Sequence, residues 1–308
     1  MNRFIRLRLL AMLLCLPFLL IFISGCGSSS QKKDEPPVYS PLQVLVPEAT
    51  GKDSLGSSPM ILDVSNISQG YFIAQSESSD LTCSLQIISP SGVLYSYFIA
   101  PGESATVTFT EGSGDYTITG YQQVQGDQYA ALYSETVTVQ LENDFLPFLY
   151  PNQYVNFTPD SKASQLALSL IDEDTVDVDA LQQIYDYVVS NLTYDYEKAD
   201  TVTTGYLPDV DETLKTGTGI CFDYAALTTA MLRSCDIPCK LQIGYAGDIK
   251  HAWIDVYIRS KGWVNQAVSF KGDTWTLMDP TFDSNSDDKE AIQDYIGDES
   301  NYTVQFTR

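Results

Sequence analysis

The alternation of apolar and polar residues changes character several times along the chain. An unbroken apolar run from Leu9 to Ile23 comes first. Between about Met60 and Asp144 the pattern is short and mostly of period two. It predicts strands at Met60–Val64, Gly70–Ala74, Thr82–Ser89, Val93–Ala100, Ala105–Thr110, Asp115–Gln123 and Tyr129–Leu141. In one of them Thr106, Thr108 and Thr110 alternate with Val107 and Phe109, as a half-buried strand requires. Turn clusters such as Ser89-Pro90-Ser91-Gly92, Gly112-Ser113-Gly114 and Gly126-Asp127 separate the runs. Past an aromatic, proline-bearing junction at Phe145–Thr158 the period lengthens. Helices are predicted at Ser164–Ile171 and Val178–Leu192. In the second, Leu181, Ile184, Tyr185, Val188, Val189 and Leu192 share a stripe that follows acidic residues suited to a helix start. Another helix begins near Cys221, with Phe222, Ala226, Leu227, Ala230 and Met231 on its apolar side and Pro238 beyond its end. Strict alternation returns at His251–Ile258. Ala252, Ile254, Val256 and Ile258 fall on one face there, and His251, Trp253, Asp255 and Tyr257 on the other. Strand-like runs follow at Gly262–Phe270 and Asp273–Met278.

These changes divide the chain into a leader over residues 1–25, a flexible linker over 26–45, an all-β domain over 46–144 and a mixed domain over 145–308. Some seven strands at this spacing point to an immunoglobulin-like sandwich for the third of these, most simply a spacer. The linker, with Ser28, Ser29, Ser30, Lys32, Lys33, Asp34, Glu35, Pro36 and Pro37, is polar and without period.

Composition narrows the function. The 308 residues carry 17 Lys+Arg against 40 Asp+Glu, a formal net charge of -23, which argues against nucleic acid as a partner. Twenty Tyr, 13 Phe and 3 Trp supply too much buryable surface for a disordered chain. The chain has 1 His, so a multi-His zinc or iron site within one protomer is excluded, and no cofactor or metal is expected. The acidic cluster Asp172, Glu173, Asp174, Asp177 and Asp179 reads as a solvated loop and helix cap. The stretch from Asp283 to Asp287 opens like a calcium loop but lacks the Gly and the Glu such a loop needs.

The leader has the layout of an export signal. Arg3, Arg6 and Arg8 precede the apolar run, which is short for a membrane span. Ile23-Ser24-Gly25-Cys26 resembles the lipobox of bacterial lipoproteins. That resemblance implies lipid on Cys26 and an extracytoplasmic body anchored to the bacterial cell membrane. Of the cysteines outside the leader and Cys26, Cys83 reads as a buried small hydrophobe. Cys235 and Cys239 are either bridged or packed as thiols, and Cys221 is expected to be a free thiol.

Residues 217–283 hold the chemistry. Gly217-Thr218-Gly219-Ile220-Cys221 runs into a helix and sets Cys221 in its first turn, where unpaired N–H groups and the helix dipole stabilise a thiolate. His251 opens a strand and Asp279, before Pro280, closes another. Together they have the parts of a nucleophile, base and orienter. Gly219-Ile220-Cys221 with Ala225, Met231-Leu232-Arg233 with Ile237-Pro238, His251-Ala252-Trp253, and Leu277-Met278-Asp279-Pro280-Thr281 resemble the transglutaminase-like superfamily of papain-like fold. The resemblance implies an α+β core of helices packed on an antiparallel sheet, with Cys221 as acylated nucleophile, His251 as base and Asp279 as orienting carboxylate. It also makes Asp255 a structural acid and Tyr194 a candidate oxyanion donor. The implied reaction is thioester formation from a carboxamide or peptide carbonyl of a cell-surface protein or peptide, resolved by an amine or by water. A cysteine peptidase and a catalytically silent binding module are the alternatives. The polar stretch Thr201–Leu207, with one Gly, is expected to be mobile.

Overall fold

The computed structural model describes residues 33–172, 175–265, 268–271, 274–277 and 302–308. The leader, Cys26 and Asp279 lie outside the described residues. From Gln31 to Arg308 the chain clusters as one compact unit.

Its N-terminal part is built of β1 (Ser54–Ser57), β2 (Met60–Asp63), β3 (Tyr71–Ser76), β4 (Cys83–Ile88), β5 (Leu94–Ile99), β6 (Ser104–Thr108), β7 (Gly114–Gln125) and β8 (Gln128–Val139). They form two antiparallel sheets, ordered β1-β2-β3-β6 and β5-β4-β7-β8. Alternate side chains of both sheets meet in one core, Leu62, Phe72 and Val107 from the first and Leu85, Ile99 and Ile118 from the second. The period-two pattern anticipated these strands, apart from β1, whose sequence Ser-Leu-Gly-Ser has a single apolar residue.

The second part contains α1 (Lys162–Leu170), α2 (Asp177–Asn191), β9 (Thr193–Tyr194), α3 (Tyr196–Thr201), α4 (Val210–Thr216), β10 (Thr218–Gly219) and α5 (Cys221–Ser234). After them come β11 (Cys239–Ala246), β12 (Ile249–Ile258), β13 (Gly262–Val264), β14 (Val268–Lys271), β15 (Thr274–Leu277) and β16 (Tyr302–Thr307). An antiparallel sheet ordered β13-β12-β11-β16 lies against α5, which is also packed by α1, α2 and α4. The helices α3 and α4 are too short to show a period. Each is fixed by its cap instead: Asp195 accepts from the Lys198 N–H, and Asp209 from those of Asp211 and Glu212.

Three expectations are corrected. The helix α5 is not one-sided: every residue from Asp223 to Ser234 is buried. A helix enclosed all round must satisfy its polar groups internally. Thr228 donates to the Tyr224 carbonyl, Ser234 to that of Ala230, and the fully buried Arg233 to the carbonyls of Tyr150, Cys239 and Arg308. The second face of β12 is likewise covered, because the junction and the neighbouring strands supply a layer of rings. Tyr257 meets Phe145 and Trp263, and Trp253 meets Tyr302. The described part of the expected linker is laid on the body rather than running free. Pro36 and Pro37 are buried, Val44 joins the core around α5, and Leu45 packs with Tyr71, Leu146 and Leu149. The Tyr39 N–H donates to Asp236, and the Pro37 carbonyl accepts from Arg259. Apolar residues spaced without a period leave no signature in the sequence, yet they bury enough surface to hold a strap.

Candidate active site

Cys221 is the first residue of α5 and carries a half-buried, unbridged thiol. The preceding backbone is fixed by parallel pairing of β10 with β9, in which Gly219 stands opposite Tyr194 and the Asp195 N–H donates to the Gly219 carbonyl. Gly219 leaves no room for a side chain, since a Cβ there would sit 2.6 Å from Cβ of Asp223. The sharp entry into the helix therefore requires glycine.

His251 lies in β12, paired with Gly244 of β11, and is 8% exposed. Its ring is nearly parallel to that of Trp253, with centroids 6.4 Å apart. Because α5 packs on β12, the helix that bears the thiol and the strand that bears the imidazole are immediate neighbours. Tyr194 reaches the same region through β9 and packs against the same core as Cys221. Asp279, the expected orienting carboxylate, belongs to the chain beyond β15 and lies outside the described residues. Asp255 is buried and accepts from Nε2 of Gln242 at 2.6 Å, while Oε1 of Gln242 accepts from Thr307 at 2.8 Å. This chain of bonds ties β12, β11 and β16 together and gives Asp255 a structural role.

Thiol chemistry separates the four described cysteines. All are unbridged, which settles Cys235 and Cys239 as packed thiols. Burial, with Asp236 nearby, pushes the Cys235 thiol up to about 12. Burial also pushes the Cys239 thiol up to about 12, against a bond to Thr229 and the charge of Arg233. Neither forms a thiolate near neutral pH.

Asp223, in the first turn of α5, is a member of this region that the periodicity did not mark. It is fully buried, and its Oδ2 accepts from the Ile220 N–H at 2.8 Å and from Nζ of Lys198 at 2.7 Å. Its Oδ1 accepts a short bond from the Tyr206 hydroxyl. Lys198 Nζ also donates to that hydroxyl at 2.7 Å and lies 4.5 Å from the centre of its ring. The stretch Thr201–Leu207, expected to be mobile, is thereby pinned at Tyr206, whose ring meets that of Phe222 beside Cys221. The readable signal for Asp223 was an acid three residues after a helix cap, which is half of a capping box. Its partners lie 25 and 17 residues away, and no sequence period links them. The acidic cluster is partly spent on Asp177, which pairs with Arg259, while Glu173 and Asp174 lie outside the described residues. Among the described residues no three His, Cys, Asp or Glu side chains converge as metal ligands, and no helix is long and apolar enough to cross a membrane.

Residues 164–280 match the transglutaminase-like superfamily. No curated protein matches the chain with significance. Among solved structures, the chain is similar to a provisionally assigned cysteine protease of Cytophaga hutchinsonii, at 17% identity over 83% of this chain and 84% of that one, with a TM-score of 0.37. It is also similar to the periplasmic domain of TgpA from Pseudomonas aeruginosa, at 14% identity over 80% and 97% of the two chains, with a TM-score of 0.35. Red sea bream transglutaminase is similar at 15% identity over 70% of this chain and 48% of its own, with a TM-score of 0.26.

Proposed function

A transglutaminase-like domain occupies residues 164–280, and from that premise we propose that the chain is a cysteine acyltransferase or amidase, held outside the cytoplasm by lipid on Cys26. The observation that carries this reading is the half-buried, unbridged thiol on the first turn of α5, on a helix that packs against the strand bearing the sole imidazole.

In the proposed cycle the Cys221 thiolate, paired with protonated His251, attacks a carboxamide or peptide carbonyl. A C–S bond forms, the C–N bond breaks, and His251 gives its proton to the departing amine. The thioester is then attacked by an amine or by water, which yields a proton to His251 as the C–S bond breaks. Asp279 is assigned to orient the imidazole. The first-turn N–H groups of α5 and the Tyr194 hydroxyl are assigned to hold the oxyanion. The substrate is a cell-surface protein or peptide. The N-terminal strands, ordered β1-β2-β3-β6 in one sheet and β5-β4-β7-β8 in the other, are read as an immunoglobulin-like spacer.

Alkylation of the full chain followed by site-resolved mass spectrometry tests the reading. Cys221 should be captured at pH 7 at least about tenfold faster than an ordinary thiol, and His251→Ala should remove the difference. Capture at the rate of an unfolded cysteine would sink the proposal. Incubation with a Gln-containing protein and a labelled amine then distinguishes amine incorporation, deamidation and chain cleavage by mass.

A further inference from the structure

We infer that Lys198 and Tyr206 are positioning residues for the Cys221 nucleophile: by holding and offsetting the buried Asp223 carboxylate, they leave the positive end of α5 available to the sulfur. The inference rests on the reading of Cys221 as the nucleophile.

Two anionic groups compete for one helix terminus. Cys221 is the first residue of α5, and Asp223 is two residues further on in the same turn. The dipole and the orphan N–H groups of that turn favour negative charge on either side chain. Asp223 already takes the Ile220 N–H. Left alone, a fully buried carboxylate one turn or less from the sulfur would oppose formation of a thiolate, since burial weakens screening. The structure supplies the counter-charge. Lys198 reaches Asp223 from α3 at 2.7 Å, and its side chain is 30% exposed while that of Asp223 is fully enclosed. Burial works against the ammonium, but the bonds to Asp223 and Tyr206 outweigh it and raise the Lys198 pKa. Lys198 therefore stays charged throughout the range in which a thiol ionises. Tyr206 donates to the other carboxylate oxygen, and its own pKa is raised, by burial first and then by Asp223.

The network also fixes geometry. It ties the chain after α3 to the residue pair Phe222 and Asp223, so one wall of the Cys221 region is set by Tyr206 packed on Phe222. Around this helix end, α3 brings Lys198 together with Tyr196, Glu197 and Asp200, and its cap Asp195 follows Tyr194 of β9. Tyr154 and Tyr206 meet the ring of Phe222, α5 itself carries Asp223 and Tyr224, and β12 carries Lys250, His251, Asp255 and Tyr257. Of the two lysines, Lys198 is the one bonded to Asp223.

The test is the rate of Cys221 alkylation by iodoacetamide in the full chain, followed from about pH 5 to pH 10. Lys198→Met should slow capture at pH 7 by about five- to tenfold, the effect of one uncompensated nearby charge, while the plateau at high pH stays at the native value. Removing both charges, in Lys198→Met with Asp223→Asn, should return the profile towards the native one. A merely structural bridge would behave in the opposite way, with the double variant the worse. Tyr206→Phe keeps the ring and should shift the profile in the same direction by a smaller factor. Fast native capture with an unchanged Lys198→Met profile, or a plateau lowered equally at every pH, overturns the inference alone. Slow capture in the native chain overturns the acyl-transfer reading and the inference with it.

Discussion

Asp236 sits just past the end of α5 in a left-handed conformation, φ 58°, and is 2% exposed. Burial drives its carboxyl from an ordinary 3.8 up to about 7, against the pull of the Tyr39 and Gln43 N–H groups and of Arg259. A raised folded-state pKa means that the folded protein prefers the protonated acid. The resulting stability is complete below about pH 4 and is lost as pH rises towards 7. Asp236→Asn keeps an acceptor for Tyr39 and suits the left-handed backbone. It should melt several degrees above the native protein at pH 8 and close to it at pH 4, and equal melting at both would show that the acid is not desolvated. Arg233 poses the converse problem: its buried charge is matched by carbonyls from three segments, and burial lowers its pKa to about 10. Arg233→Met would take this donor from the buried Tyr150 and Cys239 carbonyls, while that of Arg308 keeps the Leu241 N–H, and should cost about 3 kcal/mol or more in denaturant unfolding. Arg233→Lys, with one cationic nitrogen in place of the fork, should recover only part of it.

At the scale of elements, Gly244 decides whether β16 can join the sheet. A Cβ there would stand 1.9 Å from the Thr303 carbonyl oxygen, at the irregularity where the β11–β16 register shifts. Backbone cannot yield as a side chain can, so Gly244→Ala should separate β16 from β11. Hydrogen exchange at the amides of residues 302–307 should accelerate by orders of magnitude while β12 keeps its protection. This dependence also explains what the sequence could show. The strands β2 to β8 announced themselves because each carries several inward apolar residues at period two. The helix α2 did so through Leu181, Ile184, Tyr185 and Val188. The strand β16 did not, because its place is set by a missing side chain at Gly244, which pairs with Val304 and lies against the Thr303 carbonyl 59 residues further on. The setting of Cys221 at a helix start and of His251 in a strand was legible from local patterns. The clamp on Asp223 was not, since Lys198 and Tyr206 meet it through folding alone.

For the whole molecule, the last residues serve both parts. The Leu241 N–H and Arg233 donate to the Arg308 carbonyl. The Arg308 guanidinium meanwhile lies 4.7 Å over Tyr95, 4.8 Å over Tyr97 and 4.1 Å over Tyr154, and donates to the Tyr97 hydroxyl. Thr110 donates to the Thr307 carbonyl across the same contact. Calorimetry should accordingly record a single cooperative transition. Arg308→Ala, which removes the shared cation–π contacts, should split it into two, and an intact single peak would mean that other contacts couple the parts. The sealed sulfurs give this coupling a readout of its own. Cys83 is enclosed between the two N-terminal sheets, and Cys235 and Cys239 are enclosed around α5 and β11. A thiol reagent left with the folded protein can reach each only when its own half breathes. The intervals before capture therefore form two independent clocks, and whether they tick together or apart tells how firmly one half restrains the other.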